Sequence, residues 1–379
     1  MLEALPWFEM RAEPPQDPAA LLTAALSGDV RPSSTPGQPQ PFGWNDATFA
    51  ERTTPGGDAR VWSVHLTGVA GRVVSGDGRG GAPVAFLKRH RSARKYRQEV
   101  AALQAWAPAL APHAPQLLAR DDAGLVLLTT VVDGTPLDEL DALDQLGARD
   151  HERRHAVTAY RALGAFTTRL HTLPVAEDDP VPPAEAYRLR VRAWCDGAEG
   201  HVDAATIDHV RAYASEAEAA LVGARRVPCH RDLAPRNVLV TGADRVDPAL
   251  VDAALANGVP PASTTLRVGV IDFEHARADL PWFDLVRLQA EVWLDRPELK
   301  EAFLQGFGET PDIGAGQAAH HTAVDPAPER TAWTDTDEAL LARCVALHAL
   351  ATTAWAVRHG DARLATFGRR LLDRVIADR

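Results

Sequence analysis

The chain has 379 residues, 46% of them hydrophobic and 24% charged, which is typical of a globular protein with a sizeable core. Its formal net charge of -11 argues against a general nucleic-acid binder, because such proteins neutralise phosphates with Lys and Arg. No run approaches the roughly 20 apolar residues of a membrane span, and three well-separated cysteines without metal-ligand spacing predict a reduced, cytoplasmic protein.

The N-terminal segment predicts a tail followed by a β-hairpin. Residues 12–42 are rich in Pro, Gly, Ser and Ala, and we interpret residues 1–42 as a tail or a lid. Residues 47–66 read as strand, turn, strand. The turn contains Gly56 and Gly57, which lack a Cβ and would let backbone N–H groups approach phosphate oxygens. The two glycines could equally form a plain hairpin turn.

A third strand, a helix and two more strands are predicted next. Residues 82–88 form an apolar run that ends at Lys88. Residues 92–106 have helical periodicity and carry one acidic residue, Glu99. The basic run that begins at Lys88 predicts a solvated helix face. Residues 115–132 predict two strands joined by a turn, which would complete a small antiparallel sheet.

Helical periodicity dominates the rest of the chain. The segment 151–171 predicts a helix that stops before Pro174, and its His171 is expected to pack structurally. Residues 311–330 are interpreted as a loop. Further helices are predicted around residues 187–195 and 204–222. Asp335 and Glu338 form a capping-box-like start for a helix that runs to about Arg358. The last helix is predicted from the apolar stripe Leu364, Phe367, Leu371 and Val375.

Residues 229–240 place three polar side chains in a short loop ahead of an apolar run. His230, Asp232 and Asn237 have the spacing H-x-D-x-x-x-x-N. In this pattern the Asp accepts a proton from an attacking hydroxyl and the Asn holds a metal ion. A surface turn punctuated by Asp and Asn is the alternative that the motif alone leaves open.

A second motif follows after the insertion-like segment 241–265. Residues 267–276 read R-V-G-V-I-D-F-E-H-A, a β-branched strand that delivers Asp272 at its end. Mg²⁺ takes one or two carboxylates and completes its octahedron with water and phosphate oxygens. A buried strand that merely ends in Asp is the alternative, and the order of the two motifs favours a metal site.

Together, C-H-x-D-x-x-x-x-N and I-D-F-E-x-A resemble the aminoglycoside phosphotransferase and choline kinase family of small-molecule kinases. The resemblance implies an α+β, two-lobed protein-kinase-like fold, with a small antiparallel β-rich lobe at 43–132 and a larger, mainly helical lobe at 133–379. It also implies transfer of the γ-phosphoryl group of ATP to a hydroxyl of a small molecule, with Mg²⁺ as cofactor.

The resemblance further implies roles for the motif residues of the catalytic loop and metal strand. Asp232 would orient and partly deprotonate the acceptor hydroxyl, and His230 would brace the loop. Asn237 and Asp272 would hold Mg²⁺ against the phosphates. Asp284 would open a helix behind the loop in a structural role, although an Asp at this position is also a good helix cap.

For the nucleotide, the resemblance implies that Lys88, fixed by an ion pair with Glu99, contacts the α- and β-phosphates. The backbone from Thr130 to Val132 would bind the adenine edge. Gly56 and Gly57 would cover the phosphates.

Three alternatives remain. H-R-D-L-A-P-R-N is close to the catalytic loop of tyrosine kinases, but the short segment after Asp272 leaves little chain for a peptide-docking surface. A non-catalytic binding module would be expected to lack a key residue. A choline, homoserine, fructosamine or macrolide kinase would share the ATP machinery, whereas the negative net charge favours an aminoglycoside or another antibiotic. The sequence does not indicate an oligomeric state.

Overall fold

The structure is a computed structural model of the chain. It describes residues 17–27, 44, 47–53, 59–66, 82–140, 150–175, 180–242, 266–308 and 333–377, with the side chains of 150–154 left out. Gly56 and Gly57 lie outside the described residues, as do most of the predicted tail, nearly all of the segment 241–265, and the predicted loop 311–330.

The chain divides into two compact units, and the smaller one comprises residues 7–133 and 269–275. We call it the sheet unit. It contains a five-stranded antiparallel sheet with the strand order β1-β2-β3-β5-β4. Its elements are helices α1 (Pro18–Ser27), α2 (Ala93–Ala105) and α3 (Ala107–Leu110), and strands β1 (Ala47–Glu51), β2 (Ala59–Leu66), β3 (Ala85–His90), β4 (Leu117–Asp121) and β5 (Val126–Thr130).

Alternating side chains place a hydrophobic core on each face of this sheet. One core includes Trp62, Leu87 and Leu128 and is completed by Leu21 and Leu22 of α1. A second core joins Tyr96 and Val100 of α2 to Leu127 of β5. Because neighbouring residues of a strand face opposite sides, Leu127 and Leu128 serve different cores. Residues 18–27 of the predicted tail therefore form part of the packed sheet unit.

The larger unit comprises residues 134–268 and 276–379, and we call it the helical unit. Strand β6 pairs antiparallel with β8, and β7 pairs antiparallel with β10. Its elements are helices α4 (Asp150–His171), α5 (Pro183–Ala198), α6 (Ala204–Ser215), α7 (Trp282–Leu288), α8 (Pro297–Phe307), α9 (Asp335–His359) and α10 (Ala362–Ala377), and strands β6 (Thr135–Pro136), β7 (Val227–Cys229), β8 (Val238–Thr241), β9 (Arg267–Val270, which continues into the sheet unit) and β10 (Arg277–Asp279).

Helix α9 is a long, largely buried helix of the helical unit. It is the one described helix long and apolar enough to cross a membrane by length and composition, and 61% of its most apolar window is buried inside the protein. The expectation that no run approaches a membrane span therefore needs this correction. Burial of this extent is typical of a core helix of a folded domain.

Several predicted boundaries need correction. The N-cap of α9 is Thr334, whose side chain forms a capping box with Asp337, so Asp335 and Glu338 are not the capping pair. The helix predicted over 204–222 ends at Ser215. On α10 the stripe is only partly buried: Leu371 is buried, but Leu364, Phe367 and Val375 are intermediate and Gly368 and Leu372 occupy the contact face.

Candidate active site

The sequence-predicted residues fall into two groups, one in each unit. We call the first group, Lys88, Glu99, Asp272 and Glu274 with His90 and Lys95, the lysine cluster; all of it belongs to the sheet unit. The catalytic loop, residues 229–240, belongs to the helical unit.

The lysine cluster is built around one buried cation on β3. Strand β3 runs on to His90, so Lys88 lies inside the strand rather than at its end as predicted. Its Nζ is 2.8 Å from Oε2 of Glu99, 3.0 Å from Oε2 of Glu274 and 2.5 Å from Oδ1 of Asp272. The Lys88–Glu99 ion pair implied by the resemblance is therefore present, and two further carboxylates share the same cation.

The pKa shifts show how strongly these charges depend on one another. Burial alone would lower the pKa of Lys88, but Asp272, Glu99 and Glu274 raise it well above its ordinary value. Burial alone would raise the pKa of Glu99, but Lys88 and His90 lower it to about 2. The pKa of Glu274 is likewise held below its usual range by Lys88 and Lys95 against the effect of burial. The cluster is thus fully ionised at these three positions near neutral pH.

Asp272 differs from the other two carboxylates. Its pKa is raised, because burial outweighs the attraction of Lys88 and because Glu274 and Glu99 add repulsion. A divalent cation bound to Asp272 would offset this repulsion. The Asp272 side chain is 36% exposed, whereas that of Lys88 is 11% exposed, so its carboxylate is open to a ligand. The residues present therefore fit a magnesium ion.

The backbone at Asp272 is unusual. Strand β9 ends at Val270, and Asp272 follows two residues later with a φ of 69°, in the left-handed region that non-glycine residues rarely adopt. The prediction that the strand itself ends in Asp272 was wrong by these two residues. Backbone strain of this kind is a feature of functional sites, where the surrounding structure holds it in place.

Sequence reasoning missed a second layer of the cluster. Nε2 of His90 is 2.7 Å from Oε2 of Glu99, and Nζ of Lys95 is 2.8 Å from Oε1 of Glu274. Lys95 is only 5% exposed, so the prediction of a solvated basic face was wrong at this position. The spacing could have indicated this role, because Lys95 and Glu99 are one turn apart on α2 and therefore share a face.

The residues predicted to bind the adenine edge lie at the end of β5 and just beyond it. Thr130 closes the strand, and its backbone N–H donates to the carbonyl of Gln116 at 2.9 Å. A hydrogen bond from Thr130 to a nucleotide would therefore have to use the carbonyl. Val132 lies outside the strand and is half-buried. Both roles stay predictions.

The catalytic loop begins after β7 and ends in a 3₁₀ turn, Pro235–Asn237, that leads into β8. His230 is fully buried, and its Nδ1 accepts a hydrogen bond from the backbone N–H of Asp232 at 3.2 Å. The amide of Asn237 donates to both the carbonyl and Oδ2 of Asp232, each at 2.9 Å. The amide oxygen of Asn237 is then the atom that could bind a cation.

Two arginines contact the carboxylate of Asp232. Nη2 of Arg236 is 3.2 Å from both carboxylate oxygens, and Nε of Arg287 is 3.0 Å from Oδ1. Nη1 of Arg287 also contacts Glu291 at 3.0 Å. Partial burial alone would lower the pKa of Arg287, but Asp232 and Glu291 raise it, so its charge is permanent. Sequence analysis did not identify either arginine, although Arg287 and Glu291 have the spacing of a helical ion pair.

Asp284 supports the loop from behind. It is the third residue of α7 and is fully buried, so it does not cap the helix. Its Oδ1 accepts the backbone N–H of Arg231 at 2.5 Å, and its Oδ2 is 2.9 Å from Nε2 of His171. Arg231 has a φ of 64°, so these contacts hold an unfavourable backbone conformation directly before Asp232.

The Arg231 side chain is anchored separately. Asp279 binds Arg231 and Arg190 at 3.0 and 2.8 Å, and Arg277 at 3.5 Å. Burial and the positive charge of Arg277 lower the pKa of Arg231 to about 9. The loop is therefore fixed on both its backbone side and its side-chain side.

Two buried groups of side chains bring potential metal ligands close together. One is His90, Glu99 and Glu274, and the other is His171, Cys229 and Asp284. Lys88 already occupies the first group as a cation. In the second, burial raises the pKa of the Cys229 thiol well above its ordinary value, so the thiolate needed for a metal is disfavoured. Asp284 is also engaged by Arg231 and His171. Neither group favours a further metal site.

Substitution of Asp284 by Asn is expected to lower the free energy of unfolding of the helical unit by about 3 kcal/mol, because two buried hydrogen bonds to a charged acceptor are weakened. Urea denaturation measures this change. Asp208→Asn is the matched control, because Asp208 has a side chain 73% exposed on α6. Equal stability of both variants would contradict the anchoring role of Asp284.

Three solved structures of similar fold are an APH(2″) enzyme, a choline/ethanolamine kinase family protein and an ethanolamine kinase. The GDP and kanamycin complex of an APH(2″) enzyme is 15% identical, covers 95% of this chain and 98% of that chain, and has a TM-score of 0.55. A choline/ethanolamine kinase family protein from Mesorhizobium loti is 14% identical, covers 87% of each chain and has a TM-score of 0.53. A Plasmodium vivax ethanolamine kinase is 10% identical, and the match covers 87% of this chain and 82% of that chain with a TM-score of 0.52.

These likenesses confirm the α+β, two-lobed protein-kinase-like fold predicted from the motifs. The model of the phosphotransferase enzyme family, APH, matches residues 60–254, which is more than half of the chain. The chain belongs to the phosphotransferase enzyme family, and it is a small-molecule kinase. A search of curated protein sequences found no significant match.

Proposed function

We propose that the protein transfers the γ-phosphoryl group of ATP to a hydroxyl group of a small molecule. The observation that carries this proposal is the ionised lysine cluster, in which Lys88 is paired with Glu99 at 2.8 Å and lies 2.5 Å from Asp272. A buried, permanently charged lysine beside a partly exposed carboxylate suits the phosphates and metal ion of a nucleotide.

In this proposal Lys88 neutralises charge on the α- and β-phosphates, and Glu99 positions it. His90 and Lys95 hold Glu99 and Glu274, so that Lys88 keeps its position when Asp272 turns to a metal ion. Such fixed positive charge stabilises a transferring phosphoryl group because it needs no rearrangement during the reaction. The backbone carbonyl of Thr130 and the backbone of Val132 are proposed to bind the base.

Magnesium would be held by the carboxylate of Asp272 and the amide oxygen of Asn237. Both are hard oxygen donors of the kind that Mg²⁺ prefers. When bound, the ion would neutralise negative charge on the phosphates. Asn237 would keep its amide nitrogen on Asp232, 2.9 Å from Oδ2, and its amide oxygen would remain available to the ion.

On the acceptor side, Asp232 would orient the attacking hydroxyl and accept its proton. Asp232 is 6% exposed, and its backbone is held by His230 and its carboxylate by Asn237. A carboxylate fixed in this way loses little conformational freedom when the substrate binds. Positioning of the reacting groups, together with electrostatic stabilisation, supplies most of the rate enhancement in phosphoryl transfer. His230 and Asp284 would act as positioning residues.

A protein kinase is the second candidate, because Arg236 lies within the tyrosine-kinase-like stretch H-R-D-L-A-P-R-N. Only residues 273–281 separate Asp272 from the start of α7, which leaves little chain for a peptide-docking surface. The small-molecule proposal is therefore preferred.

Cytoplasmic location stays a prediction; it agrees with the three buried, free cysteines Cys195, Cys229 and Cys344.

The test is Mg²⁺-dependent ADP release by the purified protein with a panel of acceptors. The panel contains kanamycin and other antibiotics, choline, ethanolamine, neutral sugars, hydroxy acids and a generic protein substrate. We expect one class of small molecule to stimulate ADP release, and we expect Asp272→Asn to remove both the stimulation and its dependence on magnesium. The exposed-site variant Asp208→Asn should behave as the unmodified protein does.

Stimulation by the protein substrate alone would favour the protein kinase. ADP release that persists unchanged in Asp272→Asn would contradict the proposed metal site, because the carboxylate that should bind the ion is then missing.

A further inference from the structure

The charge around Asp232 is the least expected feature of the helical unit. Arg236 and Arg287 both contact the carboxylate that would face the acceptor hydroxyl. Their side chains remain 46% and 32% exposed, whereas the anchored Arg231 is 16% exposed. Two accessible cations at this position contrast with the net charge of -11 of the whole chain.

The two guanidinium groups also have donors to spare. Each guanidinium has five N–H bonds. Arg287 uses Nε for Asp232 and Nη1 for Glu291, which leaves Nη2. Arg236 uses Nη2 for Asp232, and its Nη1 is 3.7 Å from Glu291, which is too long for a hydrogen bond. Both arginines can therefore bind a further acceptor atom without leaving Asp232.

The local balance of charge does not suit a polycation. Asp232 and Glu291 are matched by Arg236 and Arg287, so these four contacting groups sum to zero. His348 adds no charge, because burial and the nearby Arg287 lower its pKa to about 3. Asp232 and Glu291 therefore offer no net negative charge to a cationic ligand, which would also meet two guanidinium groups at close range.

We infer that the acceptor carries an anionic group, a carboxylate or a phosphate, in addition to the hydroxyl that is phosphorylated, and that Arg236 and Arg287 bind this group. The inference rests on the proposed function, since it takes Asp232 as the residue at the hydroxyl. Arginine binds both anions in a bidentate manner, which fixes orientation as well as charge.

The geometry sets the size of such an acceptor. An anion on the outer side of Arg236 would be separated from Asp232 by two charge-assisted contacts of about 3 Å each and by the guanidinium group between them. The hydroxyl and the anionic group would then be a few bonds apart, as in a hydroxy acid or a sugar phosphate.

Anion binding would also orient the acceptor hydroxyl at Asp232. In the reaction the acceptor oxygen forms a bond to the γ-phosphorus, the bond from that phosphorus to the β,γ-bridging oxygen breaks, ADP leaves, and the hydroxyl proton passes to Asp232. Because both arginines can keep their contacts with Asp232 while they bind the anion, the hydroxyl would be held beside the base during the proton transfer.

The test uses acceptors that differ in one charged group. One series is D-glucose, D-gluconate, D-glucose 6-phosphate and D-glucosamine; the other is glycerol, D-glycerate, glycerol 3-phosphate and 2-amino-1,3-propanediol, with kanamycin and choline beside them. Binding is measured by calorimetry on the full chain with Mg²⁺ and a non-hydrolysable ATP analogue, and turnover by ADP release. The anionic members separate a carboxylate preference from a phosphate preference.

Arg236→Gln and Arg287→Gln are expected to weaken binding of the preferred anionic member about 10- to 100-fold, which is the loss of one hydrogen bond between charged groups. Its neutral counterpart should be affected little, and the KM for ATP should not change. Arg192→Gln is the control, because the Arg192 side chain is 76% exposed on α5 and contacts only Asp196 among the ion pairs of the described residues.

Tighter binding of an anionic member than of its neutral and cationic counterparts, lost in both arginine variants, supports the inference. Binding that favours glucosamine, choline or kanamycin, or is independent of charge, overturns it and leaves the proposed function standing if these compounds are turned over. If anionic members bind more tightly but no acceptor stimulates ADP release, the anion site is supported. The same result counts against the proposed phosphoryl transfer.

Discussion

Substitution of Asp232 by Ala is expected to reduce kcat by about 10²- to 10⁴-fold, which is the usual contribution of a positioned general base. Nucleotide binding should change little, because the cation proposed to contact the phosphates, Lys88, belongs to a different unit of the chain. The measurement combines steady-state turnover with the dissociation constant of a fluorescent ATP analogue.

Asp232→Asn is the companion variant. It keeps the shape of the side chain and removes only its charge, so it separates loss of the base from disruption of the loop. A loss of nucleotide affinity as large as the loss of turnover in both variants would indicate that the loop is structural. In that case Asp232 would not be the group at the acceptor hydroxyl.

Substitution of Lys88 by Met is expected to affect both activity and stability. Glu99 and Glu274 would remain buried without their shared cation, and breaking a buried ion pair of this kind costs about 3–5 kcal/mol. Turnover should fall by at least about 10²-fold, because a fixed positive charge at the phosphates is lost. Urea denaturation followed by circular dichroism, together with ADP release, measures the two effects.

Lys88→Arg is the control for charge. It keeps the positive charge with a different shape, so it should recover much of the stability but little of the turnover, because Arg and Lys present their donors differently. Full turnover of either variant would show that Lys88 does not act on the nucleotide. Unchanged stability of Lys88→Met would contradict the dependence of Glu99 and Glu274 on this lysine.

The sequence predicted those features that depend on local spacing. Apolar alternation predicted β2, an apolar run after a turn predicted β5, and helical periodicity predicted α2 within one residue at each end. The H-x-D-x-x-x-x-N spacing placed His230 and Asn237 in contact with Asp232, because all three lie within one short loop. Local order of this kind leaves a pattern in the chain.

Contacts between distant segments left no such pattern. Lys95 and Glu274 are 179 residues apart, and their ion pair exists only because α2 packs against the 3₁₀ turn Phe273–His275. Arg287 likewise reaches Asp232 from a helix that begins 50 residues later in the chain. The net charge of the chain predicted a cationic substrate, but it averages over the whole sequence and does not describe the few side chains at Asp232.

The central claim is tested most directly by following the γ-phosphate itself. The protein, Mg²⁺ and ATP labelled at the γ-position are incubated with a pool of hydroxylated small molecules and a generic protein substrate, and the two products are separated by size. We predict label in the small-molecule fraction with the unmodified protein and its loss with Asp232→Ala. Label that appears only on protein, or small-molecule label that is equally strong in Asp232→Ala, would contradict the proposed transfer.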